Sequence, residues 1–277
     1  MLDDVVPMLI CPHCGGDLRV NGASLICSSG HTANVARQGY VSLLGRDAGT
    51  HTADSAEMIA ARERFLSAGH FDPVAREVAA IAARPGLEEV EGGGLDLGAG
   101  TGHYLAAVLE ALPGRVGLGV DNSKYAARRV ARCHPRAGAI VADIWDQVPV
   151  RDGAAALVLN LFAPRNGEEI ARALAPGGRL IVVTPEPDHL RELIEPFAMI
   201  SVDPDKAERL ERSLGGLAAG REEVPLEWRM SLAPDEVADL VAMGPSAGRL
   251  EPEALRELVA GLPDRTEVTG SVRIAVA

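Results

Sequence analysis

Short apolar runs recur through the middle of the chain, and each is followed by polar or glycine-rich residues. Between them lie segments long enough for a crossover helix. This alternation is typical of βαβ units in a doubly wound parallel sheet. The predicted strands of the sheet lie at 95–97, 116–120, 139–142, 155–161 and 179–183. The expected fold class is therefore α/β with a Rossmann-like core.

Helical periodicity flanks this region on both sides. Before it, Met58, Ala61 and Phe65 fall on one face of a predicted helix that should end near Gly69, and a second helix is predicted from about Pro73. After it, the pattern predicts helices at 188–195, 234–242 and 251–260 and strands at 224–232 and 266–276.

The charge balance narrows the classes of partner. Among 277 residues, 39 Asp and Glu outnumber 27 Lys and Arg, which gives a formal net charge of −12. An acidic chain argues against indiscriminate binding to nucleic acid, because neutralising phosphates requires cations, but it leaves room for a local basic face. Neither a signal peptide nor an apolar run of membrane-spanning length is found. The sequence therefore predicts a cytoplasmic protein without a membrane partner, in which clustered cysteines bind metal.

Three of the four cysteines lie near the N-terminus, at Cys11, Cys14 and Cys27, and His31 follows them. The spacing C-x2-C-x12-C-x3-H supplies the thiolate and imidazole ligands that tetrahedral Zn²⁺ prefers. Four protein ligands leave no open coordination position, so the predicted zinc is structural. His13 is an alternative fourth ligand, although the spacing favours His31. A redox Cys-x-x-Cys pair with an unrelated third cysteine is the other interpretation.

A glycine-rich loop follows the first predicted strand of the sheet and opens a helix. It reads Asp96-Leu-Gly98-Ala-Gly100-Thr-Gly102, and glycines let a backbone turn tightly and approach a ligand closely. The pattern D-x-G-x-G-x-G lacks the spacing of the dinucleotide motif and favours S-adenosylmethionine, with a dinucleotide as the less favoured alternative. The expected cofactor-binding residues are Asp96, Gly98, Gly100, Gly102, His103, Asp121, Asp143, Ile144 and Asn160.

Acidic residues end the next two predicted strands. Asp121 ends the second, where its carboxylate can accept hydrogen bonds from both ribose hydroxyls of the cofactor. Asp143 ends the third, where its carboxylate can accept the exocyclic amine of adenine while Ile144 or Trp145 packs on the ring. The alternative interpretation is that these aspartates only cap the helices that follow them.

The fourth strand ends in a polar, proline-containing loop. Because the carboxyl ends of parallel strands line the ligand crevice, this loop should face the transferred methyl group and its acceptor. The acceptor-side candidates are Asn160, Phe162, Pro164 and Arg165. Asn160 could equally be a buried polar residue satisfied by neighbouring backbone. The catalytic residues stay unknown, and no base is assigned.

Together these residues resemble those of the 23S rRNA guanine-N1 methyltransferases, which include the tylosin-resistance enzymes of actinomycetes. The resemblance covers nearly the whole chain. Its most specific part is the cysteine–histidine cluster followed by Arg37-Gln-Gly-Tyr-Val-Ser-Leu-Leu44. It continues through Phe65-Leu-Ser-Ala-Gly-His70 and Phe162-Ala-Pro-Arg-Asn166.

This resemblance implies a zinc-binding module that helps hold RNA, and S-adenosylmethionine-dependent methyl transfer to guanine N1 in a 23S rRNA hairpin loop, a modification that can protect against macrolide antibiotics. It divides the chain into a zinc-ribbon-like module at 1–45, a helical linker at 46–90 that contributes to the cleft, and a Rossmann-like class I methyltransferase domain at 91–277. The expected partner is the rRNA hairpin, and a homodimer is left open.

A small-molecule methyltransferase of a biosynthetic pathway, on the same scaffold, is the alternative function. The position of the arginines distinguishes the two acceptors: a basic face around the cleft favours RNA, and a closed apolar cleft favours a small molecule. The arginines concerned are Arg19, Arg37, Arg46, Arg62, Arg64 and Arg165. Since Arg62 and Arg64 lie two apart on one predicted helix, only one should face the cleft, and Arg62 is the expected one, with a structural salt bridge as the alternative.

Overall fold

A computed structural model gives the fold and describes residues 2–45, 53–201, 217 and 221–277. The N-terminal part holds a small antiparallel sheet in the order β1-β2-β3, made of β1 (Leu18–Asn21), β2 (Ser24–Cys27) and β3 (Thr32–Asn34). Helix α1 (Leu2–Val5) and a 3₁₀ turn at Val6–Met8 precede it. Arg46, one of the arginines considered above, lies outside the described residues.

The remaining strands form one eight-stranded sheet. They are β4 (Tyr40–Ser42), β5 (Gly93–Leu97), β6 (Gly117–Asp121), β7 (Ala137–Val141), β8 (Ala155–Leu161), β9 (Leu174–Pro185), β10 (Glu222–Leu232) and β11 (Thr266–Val276). Their spatial order is β10-β11-β9-β8-β5-β6-β7-β4, and β11 runs antiparallel to both of its neighbours. The chain order reverses beside β5, which pairs with β6 on one side and β8 on the other. A doubly wound sheet opens its ligand crevice at such a switch point.

Helices cover the two faces of the sheet and cap one of its edges. The longer ones are α2 (Ala56–Ser67), α3 (Asp72–Ala82), α4 (His103–Ala111), α5 (Lys124–Cys133), α6 (Gly167–Ala173), α8 (Pro234–Ala242) and α9 (Pro252–Ala260), and α7 (Arg191–Ile194) is a single turn. Helices α3, α4 and α5 pack on one face, and α1, α6 and the N-terminal sheet pack on the other. The central strands β7 and β8 are buried at every position, as strands covered on both faces must be.

The N-terminal sheet is joined to the large one by backbone pairing. Strand β4 pairs with β7 in parallel and becomes an edge of the central sheet. The N–H of Ile10 donates to the carbonyl of Pro149 at 3.0 Å. Leu18 and Leu25 are buried in the same apolar cluster as Leu95 of β5. The metal-binding region and the methyltransferase core therefore share one core.

Most predicted elements match the structure within a few residues. Residues 142–154, between β7 and β8, are long enough for a crossover helix but form none, so a loop connects these strands. The helix predicted at 188–195 is shortened to α7 because Leu190 has a left-handed φ of 58°. Among the described residues, no helix is long and apolar enough to span a membrane.

Candidate active site and metal centre

The glycine loop leaves β5 at the switch point and leads into α4. Gly98 and Gly100 have φ of 81° and 54°, in the left-handed region that favours glycine. A Cβ on Gly98 would collide with the Cβ of Ala163, which belongs to the loop after β8. A Cβ on Gly102 would lie 2.7 Å from the Cys133 sulfur. The first two glycines thus shape the floor of the crevice, and Gly102 lets α4 pack closely on α5.

Two carboxyls, the half-buried Asp121 and the buried Asp96, lie under this loop. Asp121 accepts hydrogen bonds from the N–H of Gly100 at 2.9 Å and of Ser123 at 2.8 Å, and burial raises its pKa to about 6. Asp96 is only 2% exposed, and burial together with the nearby charge of Asp121 raises its pKa to about 7. Both carboxyls are poised to change charge near neutral pH, so a ligand that contacts them should bind in a pH-dependent way.

The alternative interpretation of the aspartates as helix caps is not supported by the backbone. The N-cap of α4 is Gly102, and the N-cap of α5 is Ser123, whose hydroxyl accepts from the N–H groups of Tyr125 and Ala126. No helix follows Asp143, and its carboxylate accepts from the N–H of Trp145 at 2.9 Å. The strand-end carboxylates therefore face the crevice rather than the helices.

A cavity of about 760 Å³ opens above these residues. Of the predicted cofactor residues, it is lined by Asp96, Gly98, Gly100, His103, Asp121, Asp143 and Ile144. Gly102 does not line it. Asn160 does not line it either: it is fully buried, and its side-chain amide donates to the carbonyls of Leu97 at 3.1 Å and Pro164 at 2.8 Å. Asn160 therefore links the end of β5 to the loop after β8 through hydrogen bonds in the interior, outside the cavity.

The acceptor-side loop contributes an exposed aromatic ring. Phe162 has a left-handed φ of 54°, unusual for a bulky residue, and its side chain is 37% exposed in the cavity wall. Its ring lies 6.1 Å from that of His189, nearly parallel at 25°, and 5.9 Å from that of Phe71. The N–H of Ser271 donates to Nδ1 of His189 at 3.1 Å, so a neutral His189 carries its proton on Nε2.

Arg165 brings a positive charge into the same wall. Its Nε is buried and has no hydrogen-bond partner within the described structure, and burial lowers the pKa of the guanidinium. A half-buried cation without a carboxylate partner among the described residues is unfavourable, which is expected where a ligand completes the site. Pro164, the preceding residue, also lines the cavity.

Arg62 faces the crevice, as expected, whereas Arg64 does not. The Arg62 guanidinium pairs with Asp54 at 2.5 Å, donates to the Met243 carbonyl at 2.7 Å and lies against Gly100. Arg64 is exposed and pairs with Asp239 of α8. Arg62 thus lines the cavity and also forms a salt bridge, so the cleft-facing role and the structural role predicted as alternatives are both present.

The cysteine–histidine cluster has the geometry of a tetrahedral metal site. The sulfurs of Cys14 and Cys27 are 3.7 Å apart, and Nδ1 of His31 lies 3.5 Å from the sulfur of Cys11 and 3.4 Å from that of Cys27. Ligands arranged tetrahedrally around zinc, at about 2.3 Å for sulfur and 2.0–2.1 Å for nitrogen, are roughly 3.5–3.8 Å from one another. The four residues therefore fit Zn²⁺. His13 is exposed and stands outside the cluster.

Several cavity residues were not predicted from the sequence. Tyr104 of α4, Phe71 before α3 and the segment 243–246 after α8 all line it. Tyr104 directly follows His103, and a position beside a cofactor loop is a signal that could have found it. Phe71 and the segment 243–246 reach the cavity only through the packing of α2 against α8, which no local pattern reveals.

Comparison with known proteins identifies the family. Residues 9–46 match the family described as RlmA, N-terminal, and residues 95–182 match a methyltransferase domain. A 23S rRNA (guanine(748)-N(1))-methyltransferase of Streptomyces fradiae is 46% identical over 100% of this chain and 98% of its own length. This chain belongs to the family of 23S rRNA (guanine-N1) methyltransferases. It is an S-adenosylmethionine-dependent methyltransferase with a structural zinc site.

Two further relatives of this methyltransferase are named for the same reaction. One from Micromonospora griseorubida is 45% identical over 99% of this chain and 98% of its own length. Another, from Bacillus subtilis (strain 168), is 33% identical over 67% of each chain. The similarity to the first two relatives thus includes both the zinc cluster and the methyltransferase core.

Proposed function

We propose that this enzyme methylates N1 of a guanine in a hairpin loop of 23S rRNA, at the position that the name of the Streptomyces fradiae relative gives as 748. The observation that carries the proposal is 46% identity to that relative over the whole chain, ribbon and core together. A small molecule needs no separate RNA-binding module, so similarity across the N-terminal region supports an RNA acceptor.

S-adenosylmethionine supplies a methyl group on a positively charged sulfur. In the proposal, Asp121 accepts from the ribose hydroxyls and Asp143 from the adenine amine, while Ile144 packs on the ring. The glycine loop, with Asp96 and His103 beside it, forms the wall against the rest of the cofactor. Arg62, held against Gly100 by Asp54, is suited to the carboxylate of the methionine portion.

The acceptor guanine would have to leave its stack to reach the cavity. Loop bases in RNA are recognised by stacking on aromatic side chains and by hydrogen bonds to their edges. Phe162 offers the exposed ring, supported by His189 and Phe71 behind it. Since Nδ1 of His189 already accepts a hydrogen bond from the N–H of Ser271, this nitrogen is not available as a base.

The reaction requires the N1 proton to leave. The N1–C bond forms as the bond between sulfur and the methyl carbon breaks, the proton passes to solvent, and S-adenosylhomocysteine and N1-methylguanine result. Loss of the proton places negative charge on N1 and O6 of the base. The half-buried guanidinium of Arg165, which has no carboxylate partner in the described structure, is suited to stabilise that charge. In this role Arg165 stabilises the deprotonated acceptor, and the reaction needs no protein base.

The direct test is methyl transfer from labelled S-adenosylmethionine to 23S rRNA that lacks the modification, followed by mapping of the modified base. We expect one N1-methylguanine in the hairpin loop, and lowered sensitivity to macrolides in a host that expresses the enzyme. A guanine replaced by inosine in the hairpin keeps N1 and is expected to remain a substrate, whereas adenine is not. If rRNA gains no label while the folded enzyme binds cofactor, the proposal fails and the small-molecule acceptor takes its place.

A further inference from the structure

Most cations in the described part of this acidic chain have a hydrogen-bond or ion-pair partner within the protein. In the described residues, arginines pair with carboxylates, as Arg129 does with Glu63 at 2.8 Å, or donate to backbone carbonyls, as Arg136 does to Leu112 at 2.7 Å. A minority have neither kind of partner anywhere in the described structure. These are Arg19, Arg37, Arg76, Lys124, Arg128, Arg132, Arg165 and Arg249.

Three of these cations form a line on one helix. Lys124, Arg128 and Arg132 lie four residues apart on α5, so their side chains project from the same face. All three are exposed, while Ala127, Val130 and other apolar residues of the helix face the core. The line rises about 12 Å along the helix axis, from Lys124 at the first turn to Arg132 at the last.

The line connects the crevice with the zinc region, which is the N-terminal part of the chain that matches the RlmA N-terminal family (residues 9–46). Lys124 follows Asn122, which lines the cavity, and Ser123, whose hydroxyl donates to the Asp54 carbonyl at 2.7 Å. At the other end, Gly39 in the turn before β4 contacts α5, since a Cβ there would lie 3.7 Å from that of Ala131. Arg37, exposed and also without a carboxylate partner, belongs to the same turn.

We propose that Lys124, Arg128, Arg132 and Arg37 form one docking surface for the phosphate backbone of the substrate RNA, guiding the strand from the zinc region to the crevice. The proposal rests on the proposed function, because it takes the substrate to be RNA. The partner follows from charge: cations in a row that bind the phosphates of a polyanion release its counterions, and cations without a carboxylate partner do so without first giving up a salt bridge. The helix exposes no large apolar side chain, so it lacks the face that an amphipathic helix inserts into a membrane.

The test compares the wild-type enzyme with the triple variant Lys124→Gln, Arg128→Gln, Arg132→Gln. A matched control is Arg76→Gln, Arg84→Gln, Arg256→Gln, which changes net charge equally at exposed or half-exposed sites away from α5. Binding to the 23S hairpin is measured by fluorescence anisotropy over a range of salt concentrations. Methyl transfer gives KM and kcat, and calorimetry gives cofactor affinity.

We expect the α5 variant to weaken RNA binding and flatten its salt dependence by about two to three units of slope, the share of three phosphate contacts. At 0.1 M salt each lost phosphate contact should weaken RNA affinity roughly sixfold, and the loss of three contacts should weaken it about 200-fold. KM for RNA should rise accordingly, while kcat at saturating RNA, cofactor affinity and the control variant stay near wild type. Arg37→Gln should add to the loss.

Two results would overturn the inference while leaving the proposed function intact. One is an α5 variant that methylates rRNA with unchanged KM and salt slope. The other is a variant that loses binding to vesicles containing anionic lipid but keeps its RNA affinity, which would assign the surface to a membrane. If the wild-type enzyme transfers no methyl group to rRNA, the proposed function fails first and the inference fails with it.

Discussion

Replacing Arg165 with Gln should slow methyl transfer without unfolding the enzyme. The guanidinium lines the cavity, its Nε is buried without a hydrogen-bond partner in the described structure, and burial lowers its pKa. The charged form is therefore disfavoured in the folded protein, and its removal should leave the melting temperature unchanged or raise it. A lower Tm in the variant would mean that Arg165 has a structural role instead.

The size of the effect follows from the bond that is lost. A hydrogen bond to a charged group is worth about 1.5–3 kcal/mol, so kcat should fall roughly 10- to 150-fold. The loss should depend on pH in a defined direction. A nearby cation lowers the pKa of guanine N1, so without it more of the base stays protonated at neutral pH. The deficit of the variant should shrink as pH rises towards the pKa of free guanine.

Single-turnover transfer of labelled methyl groups to the hairpin, across neutral to alkaline pH, measures this directly. Arg165→Lys keeps the charge and should retain a large part of the rate. Calorimetry with S-adenosylmethionine separates the roles, because an acceptor-side residue leaves cofactor affinity unchanged. An equal loss of rate at every pH, accompanied by weaker cofactor binding, would refute the assignment and place Arg165 on the cofactor.

Three further predictions concern the cofactor and the metal. Because burial raises the pKa of Asp121 to about 6, affinity for S-adenosylmethionine should weaken as pH falls through that value. Asp121→Asn should bind at least tenfold more weakly, by about 1.4 kcal/mol, and should lose in calorimetry the part of the pH dependence centred near 6, while that of Asp96 remains. Gly98→Ala should lose cofactor affinity because its Cβ would collide with Ala163, whereas Gly114→Ala, with a similar positive φ of 94° and no neighbour within 4 Å, should bind normally. Removing zinc with a chelator should lower Tm by roughly 10 °C, and Cys133→Ser, outside the cluster, should keep the zinc content of the wild type by atomic absorption.

The sheet could be predicted from the sequence because its strands are covered on both faces. In β8 all seven residues are buried, so the strand reads as an apolar run with clear ends, interrupted only by Asn160. The same ends placed Asp121 and Asp143 at the crevice, since the carboxyl ends of parallel strands meet at one edge. The zinc cluster was equally local, because all four ligands fall between residues 11 and 31.

What the sequence could not predict depends on contacts between distant segments. The pairing of β4 with β7 attaches the N-terminal region to the large sheet, although only three residues of β4 take part. From the sequence, Asn160 could lie either in the cavity or in the interior. It lies in the interior because its side-chain amide donates to the carbonyl of Leu97 at the end of β5. Phe162 turns into the cavity because of a single left-handed φ, which a phenylalanine gives no reason to expect.

Net charge was a poor guide to the partner for a related reason. A salt bridge such as that of Arg256 with Glu253, both largely exposed, contributes little to stability. It nevertheless gives a carboxylate partner to a cation that the net charge alone treats as unpaired. A polyanion binds most readily to the cations that have no carboxylate partner to give up. On α5 that set is three side chains in a row, four residues apart, beside the crevice, in a chain whose total is −12. The arrangement of the unpaired cations, rather than their number, is what makes an acidic protein compatible with an RNA substrate.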